Sequence, residues 1–531
     1  MKRLPTGRQN FKQIIEEDLL YVDKTRQMYE LIDNGSLYFL SRPRRFGKSL
    51  LLSKFQYLFG GNRDLFEGLY IEEHTDYDFE TYPVLHFNFS SFGYKVENLE
   101  EILSIEIENY AGDFGIETNK VSLGKRLYSL VEGISKKEKT VVLLIDEYDK
   151  PITDFLTEIA KAKKNQSVLK DFFSPLKDLD AQGHLRFLFI TGVSKFSKVS
   201  LFSDLNNLTD LTLHPYSDDL LGITQEELLN YFPKHIEELA KEYQFPVEEI
   251  LEDVKKWYNG YAYNPNIPLY NPFSLLNLFQ ANRFSNFWFA TGTPTFLVET
   301  IRNEGITPRE FENKEVTETF FDKFSLSTLD ITGLLFQTGY LTIRSIIQKR
   351  ISRRYFLGYP NEEVRQSMMH NLMEAFTYKN PSTVSNALVK MERGLEDGKM
   401  ELFVEQLEVL LSDISYHLLP KKKNDKRSEF EVWEGYFHTV IYLVTTFMGL
   451  YVQSEITKHK GRLDLLVETE DYLYLMEFKL DEPIENAITQ IKNREYAAAY
   501  KNASKPVYLV GISFSKTERN VEAWDVELWE Q

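Results

Sequence analysis

Three ionisable residues near the C-terminal end share a spacing that chemistry can use. Asp464 interrupts the apolar run Arg462-Leu463-Asp464-Leu465-Leu466-Val467. Glu477 and Lys479 interrupt a second run that begins at Tyr472, and Glu470-Asp471 forms a polar turn between the two. The pattern predicts a β-hairpin. Residues two apart on a strand face the same side, so Glu477 and Lys479 align, and Asp464 can meet them from the neighbouring strand. Two carboxylates are hard oxygen ligands for one or two Mg²⁺ or Mn²⁺ ions. Such an ion neutralises charge on a phosphodiester and lowers the pKa of a bound water. The lysine can orient or help deprotonate that water, or stabilise the transition state. The alternative is a surface ion pair worth ~0–1 kcal/mol; the apolar flanks argue instead for a central, functional position.

A second set lies at the front. The apolar stretch Tyr38-Phe39-Leu40 runs into Ser41-Arg42-Pro43-Arg44-Arg45-Phe46-Gly47-Lys48-Ser49 and then Leu50-Leu51-Leu52. A strand, a loop ending Gly-Lys-Ser and a helix form the setting of a phosphate loop. Backbone N–H groups and the helix N-terminus favour anions there. Gly47 allows backbone geometry that a side chain would block. Lys48 would reach the β/γ-phosphates of ATP and Ser49 would place its hydroxyl on Mg²⁺. The loop departs from the standard pattern: Arg42 stands where the first glycine belongs, and Pro43 removes one donor. Val141-Val142-Leu143-Leu144-Ile145 ends in Asp146-Glu147. There Asp146 would hold Mg²⁺ and Glu147 would polarise the attacking water. Thr191 closes the apolar run Phe187-Leu188-Phe189-Ile190, and can sense a γ-phosphate or simply open a turn.

The elements that must position these residues fall into three stretches. In residues 1–214, short β-type runs (Leu37 to Ser41, Val84 to Phe89, Val141 to Asp146, Leu185 to Thr191, Leu211 to Leu213) alternate with helical stretches. That alternation predicts an α/β domain with a parallel sheet flanked by helices. Residues 215–420 read as a mostly helical middle (lid or linker) region; Phe403, Leu407, Leu410, Leu411, Ile414 and Leu418 make one helical stripe. Pro420 and the basic loop Lys421-Lys422-Lys423 with Lys426-Arg427 make a linker. Residues 428–531 read as helix, three strands, helix and two strands, compact enough for a domain of their own.

The chain has 531 residues, 43% of them hydrophobic, too many for one core. It has no cysteine, which excludes disulfides and thiolate sites and fits a reducing compartment. The start, MKRLPTGRQNF, shows no secretory signal, and the longest apolar run, Thr439 to Val452, is too short to cross a membrane. A cytoplasmic protein with no membrane partner is expected. The formal charge of −18 makes a poor non-specific coat for DNA, so nucleic-acid contact must be local. The two basic clusters, Lys349-Arg350 with Arg353-Arg354 and the 421–427 loop, read as solvated loops.

Several linked segments resemble the AAA-ATPase-like family: Tyr21-Val22-Asp23-Lys24-Thr25, the Arg42 to Ser49 loop, Asp146-Glu147-Tyr148-Asp149-Lys150-Pro151, and Thr191-Gly192-Val193-Ser194-Lys195-Phe196-Ser197. Trp257-Tyr258-Asn259-Gly260-Tyr261, Tyr270-Asn271-Pro272-Phe273 and Thr291-Gly292-Thr293-Pro294 add to it. The resemblance covers nearly the whole chain. It implies a P-loop ATPase-type domain ahead of a restriction-endonuclease-like PD-(D/E)xK nuclease domain. It makes the Arg-Pro-Arg-Arg loop a family variant, in which Arg44 or Arg45 supplies positive charge that the backbone lost. It assigns metal ligation and catalysis to Asp464, Glu477 and Lys479, with Leu463 at the proline position. Glu434, on the preceding helix, resembles an extra metal-site glutamate, and Gln490 a common auxiliary residue whose partner could be Arg494 or Tyr496. Glu455 is a further candidate.

The leading expectation is therefore a Mg²⁺- or Mn²⁺-dependent nuclease acting on DNA, with RNA also possible, and gated by ATP in the front domain. One alternative is a nucleotide-binding switch that does not hydrolyse ATP. Another is a scaffold that binds nucleic acid or protein, for which the 14% aromatic content would serve stacking. A homo-oligomer is compatible with each.

Overall fold

The computed structural model describes all residues except 96, 119–120, 196–200, 203–204, 206, 289–294, 304–305, 307, 323–329, 351, 413–428, 449–450, 459–460, 495, 502 and 530–531. The chain forms two compact units. The first comprises Met1–Gly292 and Phe311–Val364, the second Thr293–Glu310 and Arg365–Gln531.

The first unit is built on five parallel strands: β1 (Leu37–Ser41), β2 (Val84–Asn88), β3 (Val141–Asp146), β4 (Leu185–Gly192) and β5 (Thr209–Asp210), in the order β2-β3-β4-β1-β5. β1 and β3 are buried along their whole length, which explains their unbroken apolar composition rather than an alternating one. Phe39, Leu143, Ile145, Leu188 and Ile190 meet Leu127, Leu130 and Phe172 from the helices Leu123–Lys137 and Ile159–Phe173 in one core. On the other face, Phe55 of the helix Lys48–Phe59 packs on Phe187 and Phe189. β4 lies between β1 and β3, so Thr191 stands at the same sheet edge as the phosphate loop and Asp146.

The expected strand over Leu211 to Leu213 lies earlier, at Thr209–Asp210. The carboxylate of Asp210 accepts the amide of Thr212 at 2.9 Å, and this Asx-type turn ends the strand. A second core in this unit gathers Leu228, Phe232, Ile236, Leu239, Val254, Tyr258, Leu275 and Leu278. Asn271 caps the amides of Phe273 and Ser274, and Pro272 occupies the first turn, so the helix Pro272–Ala281 starts where the chain dictates. The helical middle also holds an antiparallel sheet, β6 (Lys314–Thr317), β7 (Thr342–Lys349) and β8 (Ser352–Gly358) in the order β6-β8-β7. Lys349, Arg350, Arg353 and Arg354 sit at the exposed end of the β7–β8 hairpin; Arg354 pairs with Glu315 at 2.7 Å.

In the second unit, β9 (Tyr451–Lys458), β10 (Gly461–Glu468), β11 (Leu473–Leu480), β12 (Val507–Ser515) and β13 (Asn520–Leu528) form one sheet in the order β13-β12-β11-β10-β9. It is antiparallel except for the parallel pair β11–β12. Leu463, Leu466, Leu475 and Leu509 on this sheet pack with Ile488 and Ile491 of the helix Glu485–Asn493. On the opposite face, Phe437 of the helix Glu429–Phe447 stacks on Phe514, with ring centroids 4.4 Å apart, and His438 meets Phe478 edge-on. That helix carries most of the apolar run that begins at Thr439. Among the described residues no helix is long and apolar enough to cross a membrane. The expected helix through Leu418 is Met400–Leu411; Ile414, Leu418, Pro420 and the 421–427 cluster lie outside the described residues, as do Thr291-Gly292-Thr293-Pro294 and Phe196-Ser197.

Candidate functional site

Two centres follow, one in each unit. In the second unit, the β10–β11 register sets Leu465 against Met476 and Leu466 against Leu475. One rung further, Asp464 faces Glu477. Asp464 accepts the backbone amide of Phe478 at 2.9 Å, which fixes its carboxylate beside β11. Glu477 is buried, with 2% of its surface exposed. Its Oε1 receives Lys479 Nζ at 3.2 Å and a short hydrogen bond from Gln490 Nε2. Lys479 Nζ also donates to Gln490 Oε1 at 2.9 Å. Gln490 therefore joins Lys479 and Glu477, whereas Arg494 donates to Tyr496 at 3.3 Å. The structure thus brings Asp464, Glu477, Lys479 and Gln490 together on one face.

Glu434 is placed elsewhere: it is exposed on the helix that packs on the opposite face, and no described contact joins it to the other four. Glu455 lies on β9, in the rung between the pairs Leu463–Ile456 and Leu465–Ser454, that is, the rung of Asp464; its side chain lies outside the described residues.

The electrostatics of this centre favour a cation. Burial pushes the Glu477 carboxyl up to about 7, and the Asp464 charge pushes the same way, against Lys479 and Arg494. Glu477 Oε2 is buried with no hydrogen-bond partner. A buried acceptor left unmatched beside a second carboxylate is costly unless something positive completes it. Among the described residues no group of three or more His, Cys, Asp or Glu is placed to hold a metal ion by itself. The site therefore offers a hard divalent ion two carboxylates, with the remaining ligands left for water and phosphate.

In the first unit, Arg45 and Gly47 have φ of 67° and 94°, left-handed values that turn β1 sharply into the helix Lys48–Phe59. Arg42, in place of the first glycine, is buried and structural. Its guanidinium donates to the carbonyls of Ser41, Thr212 and Ser217, each at 2.9 Å, and lies 3.6 Å over the ring of Tyr263. Arg44 and Arg45 are exposed, and Arg45 rests on the ring of Phe273 at 3.8 Å. Lys48 Nζ is turned onto the loop's own carbonyls, Arg42 O at 2.9 Å and Pro43 O at 2.8 Å. Burial lowers its pKa against the pull of Glu147 and Asp146.

Asp146 is fully buried. Burial pushes it up to about 6; Ser49 and Lys48 hold it back, yet neither carboxylate oxygen has a hydrogen-bond partner of full geometry. The hydroxyl of Thr191 is likewise buried and unmatched. Glu147 follows at φ 51°, with Lys150 Nζ 3.6 Å away. Unmatched oxygens at the carboxyl ends of β3 and β4, beside the loop on β1, mark the edge where parallel sheets bind ligands. The residues there fit Mg²⁺ with a phosphate ligand.

Two features went unread in the sequence. Asp149 takes the amides of Val193 and Ser194 and the Ser194 hydroxyl, tying the end of β4 to the Asp146-Glu147 turn; its place in the motif after Glu147 was the available signal. A cleft of about 600 Å³, mouth included, opens beside Phe46, Gly47 and Leu50, walled by Tyr21, Val22 and Leu220 to Ile223. Its walls come from distant stretches, and no local pattern announces it.

Fold and geometry define a P-loop ATPase-type domain followed by a domain of the PD-(D/E)XK nuclease superfamily. Residues 5–202 match the family model described as a predicted AAA-ATPase, and residues 432–524 match that of the PD-(D/E)XK nuclease superfamily. The chain belongs to the AAA-ATPase-like family that joins the two. It is 34% identical over 534 residues to a protein of Azotobacter chroococcum mcd 1 described as "Uncharacterized protein in vnfD 5'region", a match that covers 99% of both chains. No solved structure matches it.

Proposed function

We propose that this protein is an ATP-binding, Mg²⁺- or Mn²⁺-dependent nuclease that hydrolyses DNA phosphodiester bonds, with nucleotide state in the first unit regulating the second. The observation that carries the reading is the unmatched Oε2 of buried Glu477, facing Asp464 and backed by Lys479. Asp464 and Glu477 would hold a divalent ion, which would supply charge neutralisation at the scissile phosphate. Lys479, held by Gln490 and Glu477, stands ready to orient the attacking water or to meet charge building on the phosphate oxygens. Gln490 keeps that ammonium in place.

In the first unit, Gly47, Lys48 and Ser49 receive the phosphates, Asp146 the Mg²⁺, and the adjoining cleft the nucleoside. Glu147 would polarise water and Thr191 would touch the γ-phosphate. Within the first unit Trp288 ties the loop to the start of the helix Glu362–Thr377: its Nε1 donates to the loop carbonyl of Arg44 at 3.4 Å, and its amide to Glu363 at 2.8 Å. The absence of cysteine agrees with a cytoplasmic setting.

The deciding assay incubates the full chain with linear, circular and single-stranded DNA and with RNA, with Mg²⁺ or Mn²⁺, with and without ATP. Wild type should cut DNA, and Lys479→Ala should lose at least about a hundredfold in rate. Intact substrates under every condition would end the nuclease reading.

A second reading is favoured by one observation. With Lys48 held on Arg42 and Pro43 carbonyls, and with a proline in the loop, the first unit is a nucleotide-binding switch that does not turn ATP over. Phosphate release no higher than that of Lys48→Ala in the same mixtures would select it. A scaffold role would show as a biological effect that survives Asp464→Ala with Glu477→Ala, and a homo-oligomer as a doubled or larger mass in solution.

A further inference from the structure

The helix Lys48–Phe59 turns a second lysine into the cleft beside the phosphate loop. Gly47, Leu50 and Lys54 fall at helical spacing and line the same cavity. Lys54 is buried, with 3% exposed, and its Nζ lies 5.7 Å from the ring centroid of Tyr21. The surrounding walls are mostly apolar or aromatic, Tyr21, Phe46, Leu221 and Ile223 among them; Lys24 also lines the cleft, its ammonium held by Glu227.

The acids nearest to it are already engaged. Asp23 accepts the amide of Thr25 on one oxygen and that of Tyr70 on the other, both at 2.8 Å. Glu227 is taken by Lys24 Nζ, at 2.6 and 2.7 Å, and by the amide of Thr224. Among the described residues Lys54 has no hydrogen-bond or ion-pair partner. Burial brings its pKa down to about 7, with Asp23 opposing and Lys24 adding to the drop. An amine kept in an apolar wall without a hydrogen-bond or ion-pair partner costs stability. A group of this kind in a cleft is where a ligand contact is expected.

We propose that Lys54 reads the base of the bound nucleotide: its Nζ donates a hydrogen bond to a ring nitrogen or carbonyl on the edge of a purine held between the aromatic and leucine walls. The inference rests on the reading of the loop as a nucleotide-phosphate site and adds to it the residue that recognises the other end of the ligand. The cleft begins at Phe46 and Gly47, so a nucleotide with its phosphates on the loop amides carries its base into this space. A flat heteroaromatic ring suits such walls, and one donor placed in them distinguishes a base with an acceptor in reach from one without.

The experiment measures binding of ATP and of inorganic tripolyphosphate, by calorimetry with Mg²⁺, to the full-length wild type, Lys54→Met and Lys48→Ala. Methionine keeps the length of the stem and removes the amine. Lys54→Met should weaken ATP by about three- to tenfold, one net hydrogen bond, and leave tripolyphosphate unchanged, while Lys48→Ala weakens both. Its thermal midpoint should equal or exceed that of wild type, because an unpartnered amine has been replaced by an apolar tip; a midpoint well below wild type would make Lys54 a structural residue and overturn the assignment. Equal ATP binding by Lys54→Met and wild type overturns it too, as does an equal loss of ATP and tripolyphosphate. Wild type that binds neither ligand sinks the nucleotide reading itself, a result distinct from those.

Discussion

Glu477 is held in two conflicting ways: a sheet interior that disfavours its charge, and a position opposite Asp464 that a metal site needs. Its folded pKa, about 7, lies above the ordinary carboxyl range, so the folded state binds the proton more tightly than the unfolded chain does. Stability from this group is therefore greatest at low pH and falls as pH rises toward and through 7. A divalent ion held by the ionised pair, as proposed, would reverse that loss. The thermal shift produced by Mg²⁺ should be larger at pH 8 than at pH 6, and Glu477→Gln should flatten the difference; a calorimetric scan at the two pH values decides it. An Mg²⁺ shift independent of pH would count against ligation by Glu477. At this scale the sequence was readable where side chains alternate on strands, since Asp464, Glu477 and Lys479 needed only the hairpin rule to be set on one face. Gln490 needed the helix to pack at the right phase on β11, which spacing alone does not specify. Lys54 was invisible for a different reason: a lysine in a helix reads as solvated until the walls around it are known.

The phosphate-loop turn shows how an element compensates for a departure from pattern. Arg42 replaces a glycine, and the structure answers with three backbone carbonyls and a tyrosine ring that bind the end of β1 to the segment from Thr212 to Ser217. Removing the guanidinium leaves those buried carbonyls unmatched. Arg42→Ala should cost on the order of 2–4 kcal/mol, read from a denaturant midpoint. Arg42→Lys should rescue little, because an ammonium cannot reproduce the planar fork, and Arg42→Gly, which restores the standard motif letter, should destabilise rather than improve the protein. Elements with buried apolar runs, such as β1, β3 and β4, were legible from composition. β5 was shifted because Leu211 to Leu213 looks β-like, while the Asx turn at Asp210 ends the strand first. β6 to β8 were missed inside a helical stretch because their outer faces are polar and charged, and short exposed strands carry little periodic signal.

The molecule divides along lines that a linear reading does not predict. Residues 428–531 looked like a free-standing domain, and the nuclease-superfamily match spans 432–524. The second unit nonetheless includes Arg365 onward and the earlier stretch Thr293–Glu310. Tyr474 donates to the carbonyl of Leu395 at 2.6 Å, Asn520 to that of Glu408 at 3.2 Å, and Tyr436 to that of Phe376 at 2.6 Å. A fragment of residues 428–531 is therefore expected to lack the cooperative melt that the full chain shows; circular dichroism on both separates the cases, and a sharp transition in the fragment would show that the preceding helices are dispensable. The same interleaving has a consequence for biosynthesis. Arg302 leaves the ribosome long before Ala375, the residue whose carbonyl it meets at 3.4 Å, 73 positions later. The nascent helix Thr295–Asn303 must wait for its partners in the second unit while translation passes through residues 311–364 of the first. In that interval the uncovered surface of the helix is open to misassembly, which a pause or a chaperone would influence.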